Sequence, residues 1–97
     1  MADMDQVVLE LFVQGQSARS NTALDLVRRI CEAEFSNHYT LEVIDIHHHP
    51  ERALQAGVIA TPALVRRCPE PVLRVVGHFN NERVRQGLGL DDVGVRL

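Results

Sequence analysis

The chain predicts an α/β domain with the element order βαβαββα. Three observations carry that prediction. The segment from Gln6 to Val13 is rich in β-branched residues and alternates with period two. The segment from about Ser20 to Phe35 repeats its apolar residues with helical period. The second half holds two short β-rich runs, 62–67 and 72–76, divided by Pro69-Glu70-Pro71 and followed by a short capped helix.

In the first strand Val7, Leu9, Leu11 and Val13 share one face, and Val8, Glu10 and Phe12 the other. Both faces are largely apolar, as in a central strand, and Gly15 ends the run. Ser17 or Ser20 caps the first helix. Its stripe is Leu24, Val27, Cys31 and Phe35, with Ala23 and Ile30 beside it; Arg28, Arg29, Glu32 and Glu34 face away. After the loop Ser36-Asn37-His38, a second strand runs from Leu41 to Ile46 through Val43 and Ile44. A helical crossover makes it parallel to the first, in a right-handed βαβ unit. Pro50 opens a short helix, Glu51 to Ala56, that Gly57 closes. Pro62 to Arg67 and Val72 to Val76 then form a hairpin ended by Gly77. Asn80 or Asn81 caps a last helix from Glu82 to about Leu88. A single domain over residues 1–97 is expected, with 89–97 as a flexible tail. Local preference is weaker in the second half: Val84, Val93 and Val95 also suit strands, and Thr61 to Val65 also suits a helix.

Ninety-seven residues suffice for one small core. Hydrophobic content of 45% and charge of 24% are ordinary for a globular chain, while aromatics at 4% leave the core to Val, Leu, Ile and Ala. A net charge of −3 argues against nucleic acid as a partner. No apolar run reaches the roughly 20 residues that span a bilayer. The acidic start, Met1-Ala2-Asp3-Met4-Asp5, is unlike a secretory leader, so a cytoplasmic location is expected. Cys31 and Cys68 show neither metal nor redox spacing and are expected as buried or half-buried reduced thiols.

The most informative motif is Ala60-Thr61-Pro62-Ala63-Leu64-Val65. A proline leading a strand cannot donate to the ladder there, and a thioredoxin-like domain places such a strand beside its active site. The Cys-x-x-Cys that would accompany it is replaced by Gly15-Gln16-Ser17-Ala18-Arg19-Ser20. The scaffold therefore points to binding rather than redox turnover. Leu11-Phe12-Val13-Gln14-Gly15, Val43-Ile44-Asp45-Ile46, Pro50, Ile59 to Leu64, and Pro69 to Gly77 follow one another in the order and at the spacing of the KaiB family. From about residue 6 to 90 the chain resembles that family.

The resemblance implies a circadian-clock regulator with no catalytic activity and no cofactor. It implies two folds: a tetrameric ground-state fold of order βαββααβ, and a monomeric thioredoxin-like form that binds the KaiC ATPase ring, captures KaiA and displaces a histidine kinase. Family prolines matching Pro62, Pro69 and Pro71 lie in the segment that rearranges, together with the hinge at Gly77 and His78; slow proline isomerisation suits a slow switch. The β-branched hairpin and the capped last helix predict that the thioredoxin-like form dominates. Clock members of the family tend to carry basic residues where this chain has Thr22, Glu42 and Gly57, and an acidic residue where it has His78. The final residues lack the acidic tail of many clock members. A divergent adaptor of a histidine kinase or stress pathway, outside any clock, is the alternative reading.

The chemistry-bearing residues sort as follows. Cys31 sits on the apolar stripe and Cys68 ends a strand, so both are expected to be structural thiols. His47-His48-His49 are adjacent and splay apart, whereas a structural zinc wants four convergent ligands, so no metal is expected. Asp45, at a strand end, is expected to accept hydrogen bonds rather than act as a base. Arg66, Arg67 and Arg74 lie across the hairpin, where some share a face. With Glu42 they are the candidate partner-binding residues, for an acidic protein partner. The predicted edge strand Leu41–Ile46 and the helix after Pro50 complete the expected docking apparatus. The rival class is a thioredoxin-related oxidoreductase, which would need a nucleophilic thiol near residues 15–20; none is present.

Overall fold

Residues 6–90 are described by the computed structural model of this chain. Val7–Val13 forms β1, the strand on which both layers are built. Ser17 is the cap of the first helix, its Oγ accepting from the Ser20 N–H at 3.1 Å, and Ala18–Phe35 is α1. Tyr39–Asp45 is β2 and Pro50–Ala56 is α2. Gly57 ends α2 at φ 74, a left-handed conformation that glycine adopts without a Cβ penalty. Ala63–Cys68 is β3 and Leu73–Val76 is β4. Asn80 rather than Asn81 caps Asn81–Gly87, which is α3; its Oδ1 accepts from the Arg83 N–H at 2.8 Å.

The sheet order is β2-β1-β3-β4. β1 and β2 are parallel with Leu9 beside Leu41. β1 and β3 are antiparallel, as are β3 and β4. This is the thioredoxin-like βαβαββα arrangement, the first of the two that the resemblance implies. β1 is a central strand and β2 an edge strand, as the patterning requires. Strand limits shift by a residue or two from those expected, the ordinary uncertainty of element ends. Thr61 to Val65 does not form a helix: the chain enters β3 at Ala63, and Leu64 and Val65 are fully buried in the sheet.

Two apolar layers flank the sheet. On the side of α1 and α3, Val7, Leu9, Leu11 and Val13 meet Val27, Ile30, Cys31, Leu64, Val75, Val84 and Leu88. On the side of α2, Phe12, Ile44, Ala53, Ala56, Ala63 and Val65 pack together. Val84, which also suited a strand, is completely buried on α3. Its helix seats so closely that a Cβ on Gly87 would lie 1.9 Å from Val75 Cγ2. The expected tail begins with two residues still attached to the domain: the Leu90 N–H donates to the Arg85 carbonyl at 2.8 Å, and Leu90 packs against the first core. The remainder of that tail, 91–97, lies outside the described residues, with Val93 and Val95. No helix among the described residues is long and apolar enough to cross a membrane.

Candidate functional site

The cleft at the carboxyl end of β1 is where a thioredoxin-like scaffold would hold its chemistry. Pro62 leads into β3 there, behind the first turn of α1, and its carbonyl accepts the Gly77 N–H at 3.0 Å. The Thr61–Pro62 peptide is cis, as are Cys68–Pro69 and Glu70–Pro71. A cavity of about 320 Å³ lies on one side of Pro62, with Thr22, Ala23, Gly77, His78 and Phe79 in its wall. A second, of about 310 Å³, also has Pro62 in its wall, with Gln14, Ser17, Ser20, His47 and Thr61. Arg19 borders both. No cysteine lines either one.

The two thiols sit elsewhere. Cys31 is fully buried in the α1 layer, where desolvation, helped by neighbouring Glu32, pushes its pKa up to about 11. A thiol so raised is almost wholly protonated at neutral pH and is a poor nucleophile. Cys68 corrects the expectation of a half-buried thiol: it is exposed. It is the last residue of β3, where the sheet gives way to the Pro69-Glu70-Pro71 turn, so no layer covers it.

Charge is organised on the opposite, α2-facing side of the sheet. Glu10 stands on β1 between Glu42 of β2 and Val65 of β3. A carboxylate on a central strand needs partners close by, and two arginines supply them. Arg52, on α2, donates to Glu10 at 2.9 Å and to both carboxylate oxygens of Glu42 at 2.6 and 2.9 Å. Arg67 donates from Nε to Glu10 at 3.0 Å. The pairing of β1 with β3 slips by one residue between Val8 and Leu9, and Arg67 falls in that bulge. The result is a chain Glu42–Arg52–Glu10–Arg67 that joins β2, α2, β1 and β3. Glu10 is its inner member, with a side chain 12% exposed, while Glu42 is 57% exposed. The Arg52 hydrogen bond holds the Glu42 carboxyl below its ordinary pKa, and Glu42 in turn raises that of Arg52.

Of the residues expected on a docking surface, Glu42, Arg67 and Arg74 share this side. Arg74 lies opposite Val65 and donates to the Ala56 carbonyl at 3.1 and 3.3 Å, tying β4 to the end of α2. Arg66 points to the other side. It donates to the carbonyls of Leu88 at 3.2 Å and Pro71 at 3.0 Å, and its buried Nε has no hydrogen-bond partner among the described residues. The hairpin arginines therefore do not make one patch. Pro69 and Pro71 flank the β3–β4 turn, Gly77 follows β4 at φ 89, and His78 lines the cleft beside α1. Thr22 stands in the same cleft, and Gly57 closes α2.

Asp45 closes β2 as an acceptor. Its Oδ1 takes the N–H of His47 at 2.9 Å and of Gly15 at 3.3 Å, and these hold its pKa below the usual range. His47 and His48 place Nδ1 at 3.8 and 3.7 Å from its two oxygens. Among the described residues no three His, Cys, Asp or Glu side chains are placed to hold a metal ion. Sequence reasoning did not find Arg52 or the role of Glu10. The available signal was one carboxylate inside an otherwise apolar central strand, which demands a cation from a neighbouring element. Apolar side chains are also left uncovered near α2: Leu54 is 82% and Ile59 94% exposed.

The model of the KaiB domain family matches residues 10–90 of the chain. Circadian clock protein KaiB3 of Synechocystis is 34% identical over 96 residues, covering 98% of this chain and 94% of that protein. Circadian clock oscillator protein KaiB of Prochlorococcus marinus is 38% identical over 91 residues, covering 93% and 87%. Among solved structures, the N-terminal domain of Synechococcus elongatus SasA superposes with a TM-score of 0.76 at 22% identity, over 96% of this chain and 87% of that one. The thioredoxin Deadhead of Drosophila melanogaster gives 0.70 at 15% identity, over 91% and 83%. At those identities the structural likeness concerns the fold.

Proposed function

The chain belongs to the KaiB family of circadian clock proteins, and on that premise we propose that it is a non-enzymatic cytoplasmic regulator that works by docking on a KaiC-type ATPase ring. The observation that carries this reading is a redox scaffold without its nucleophile: Arg19 and Ser17 border the cleft at Pro62, Cys31 is buried in the core, and Cys68 lies at the far end of β3. What the scaffold offers instead is surface. β2 is an edge strand with unpaired main-chain groups on its outer side, a template for a partner strand. On the α2 side of the sheet stand Glu42 of β2 itself, Arg67 of β3 and, at the far edge, Arg74 of β4, with the exposed Leu54 of α2; Arg66 lies on the reverse side of the hairpin. Uncovered apolar side chains rimmed by charge suit a protein partner. Pro62, Pro69, Pro71, Gly77 and His78 are the segment proposed to rearrange between a monomeric thioredoxin-like form and a tetrameric ground state. A KaiA-like protein is the further partner that this role would bring.

The test is complex formation. Purified chain is mixed with a KaiC-type ATPase from the same organism, loaded with ATP or ADP, and followed by size-exclusion chromatography with light scattering. Co-elution that a strand-blocking proline at Val43, whose N–H faces away from β1, abolishes is the expected result; no complex in either nucleotide state would sink the proposal. A second reading is favoured by Glu42, acidic and held by Arg52 where clock relatives tend to be basic. In that reading the chain is an adaptor for a histidine kinase or stress pathway. Binding to a kinase sensor domain, and not to the ring, would select it.

A further inference from the structure

We propose that the cleft around Pro62 is a docking trough for an extended acidic segment of a protein partner, with Arg19 as its charge contact. The two cavities share Arg19 and Pro62 in their walls, and both border the start of α1 through Ala18 in one and Ser17 and Ser20 in the other. Each is near the lower end of small-ligand pockets, which run from about 300 to 1,000 Å³. That size suits one or two side chains of a longer chain better than a whole cofactor. The first cavity has an apolar floor of Ala23, Pro62 and Phe79 that would seat an aliphatic side chain. Its basic groups are Arg19 and His78, and the second cavity adds His47.

The charge pattern selects the partner. Neither cavity is lined by an aspartate or glutamate. Asp45, next to His47, is occupied by the N–H groups of Gly15 and His47. Arg19 has no hydrogen bond or ion pair through its side chain to any described residue, although the other arginines around the sheet, Arg52, Arg66, Arg67 and Arg74, are all engaged. An uncommitted guanidinium beside an apolar lining, with no carboxylate in either wall to compete for it, matches a segment that alternates carboxylate and aliphatic side chains. This goes beyond the docking proposed above, because it uses neither the β2 edge nor the α2 side; either can fail while the other stands.

The experiment is an NMR titration of the 15N-labelled full chain with a blocked tetrapeptide alternating leucine and glutamate. The matching leucine–lysine peptide and sodium acetate are the controls. The amides of Arg19, Thr22, Gly77, His78 and Phe79 are expected to shift with the acidic peptide alone. Arg19→Gln, an exposed change that leaves the remaining spectrum in place, is expected to weaken binding about fivefold, and added salt to weaken it further. The proposal is overturned by equal binding of the lysine peptide, by shifts confined to other surfaces, or by no shift up to about 10 mM peptide. It is also overturned if acetate alone reproduces the pattern, which would make the cleft a small-anion site.

Discussion

Gly87→Ala tests the seat of α3 on β4. The new Cβ would fall 1.9 Å from Val75 Cγ2, 3.4 Å from Val75 Cβ and 3.6 Å from the Arg74 carbonyl oxygen. Two effects oppose each other. Alanine in a helix is favoured over glycine by about 1 kcal/mol in the interior, and by less at the last helical residue, which Gly87 is. Against this, 1.9 Å is far inside any contact distance, so Val75 must rotate or α3 must lift. Val75 is 4% exposed and packed in the first core. Overpacking of such a site costs about 1–3 kcal/mol. The clash wins, by roughly 1–2 kcal/mol, which for a domain of this size lowers Tm by about 5–15 °C. Urea unfolding followed by circular dichroism measures it. Val75→Ala alone loses stability by leaving a cavity. The double variant should be less damaging than the sum of the two, because the alanine methyl at 87 fills the space that Cγ2 vacates. An unchanged or raised Tm for Gly87→Ala would refute the argument, and so would strict additivity in the cycle.

Glu10→Ala strips both inner arginine contacts and is expected to cost about 1–3 kcal/mol, below the 3–5 of a fully buried pair because Arg52 and Arg67 are 33% and 40% exposed; equal urea midpoints would contradict the network. Asp45 and Glu42 both have depressed pKa values in the folded state. Their contribution is therefore present above the ordinary carboxylate range near pH 4 and is lost as pH falls through their folded values. Thermal melts between pH 7 and 2 should show this acid loss, with a smaller slope in Asp45→Asn. Cys31, raised to about 11, contributes in the opposite sense: its share is complete below about pH 9 and fades as pH rises toward 11. At pH 8 a thiol reagent should label Cys68 promptly and Cys31 only on unfolding; two fast thiols would show that the core opens. Insulin reduction should stay at the uncatalysed rate, and turnover would point to the oxidoreductase reading.

Local chemistry made most of the fold legible. Gly57 announces its element end by left-handed backbone, and the sequence narrows the caps to Ser17 or Ser20 and to Asn80 or Asn81, because such ends are decided within four residues; the side-chain oxygens of Ser17 and Asn80 make the capping bonds. The central place of β1 was legible for a related reason, since only a strand covered on two sides carries Phe12 and Leu11 on opposite faces. The second half was harder because its signals are weak individually. Val84 has the side chain of a strand residue, yet it is helical because Asn80 starts a turn that carries it over Val75 and Leu64. There tertiary burial overrode β preference. The arginines of the hairpin show the limit most clearly. Alternation puts Arg66 and Arg67 on opposite sides, but what each one touches depends on Pro71, Leu88 and Glu10, up to 57 residues away.

The same distance dependence separates the two candidate surfaces. On the α2 side, Arg52, Arg67 and Arg74 spend their donors on Glu10, Glu42 and the Ala56 carbonyl, so they hold β2, α2, β3 and β4 together. A partner that drew any of them away would have to replace a contact the domain itself uses: without Arg74, β4 loses its tie to the end of α2, and without Arg67, β3 loses its tie to Glu10 of β1. Binding on that side is therefore coupled to the arrangement of the hairpin, whereas the Arg19 side chain at the Pro62 cleft ties no other described residue in place. A partner on the α2 side is expected to change hydrogen-exchange protection across 63–76, and an acidic segment in the cleft is expected to leave it unchanged. Equal protection changes from the two partners would mean that the arginine contacts of the α2 side do not anchor the hairpin.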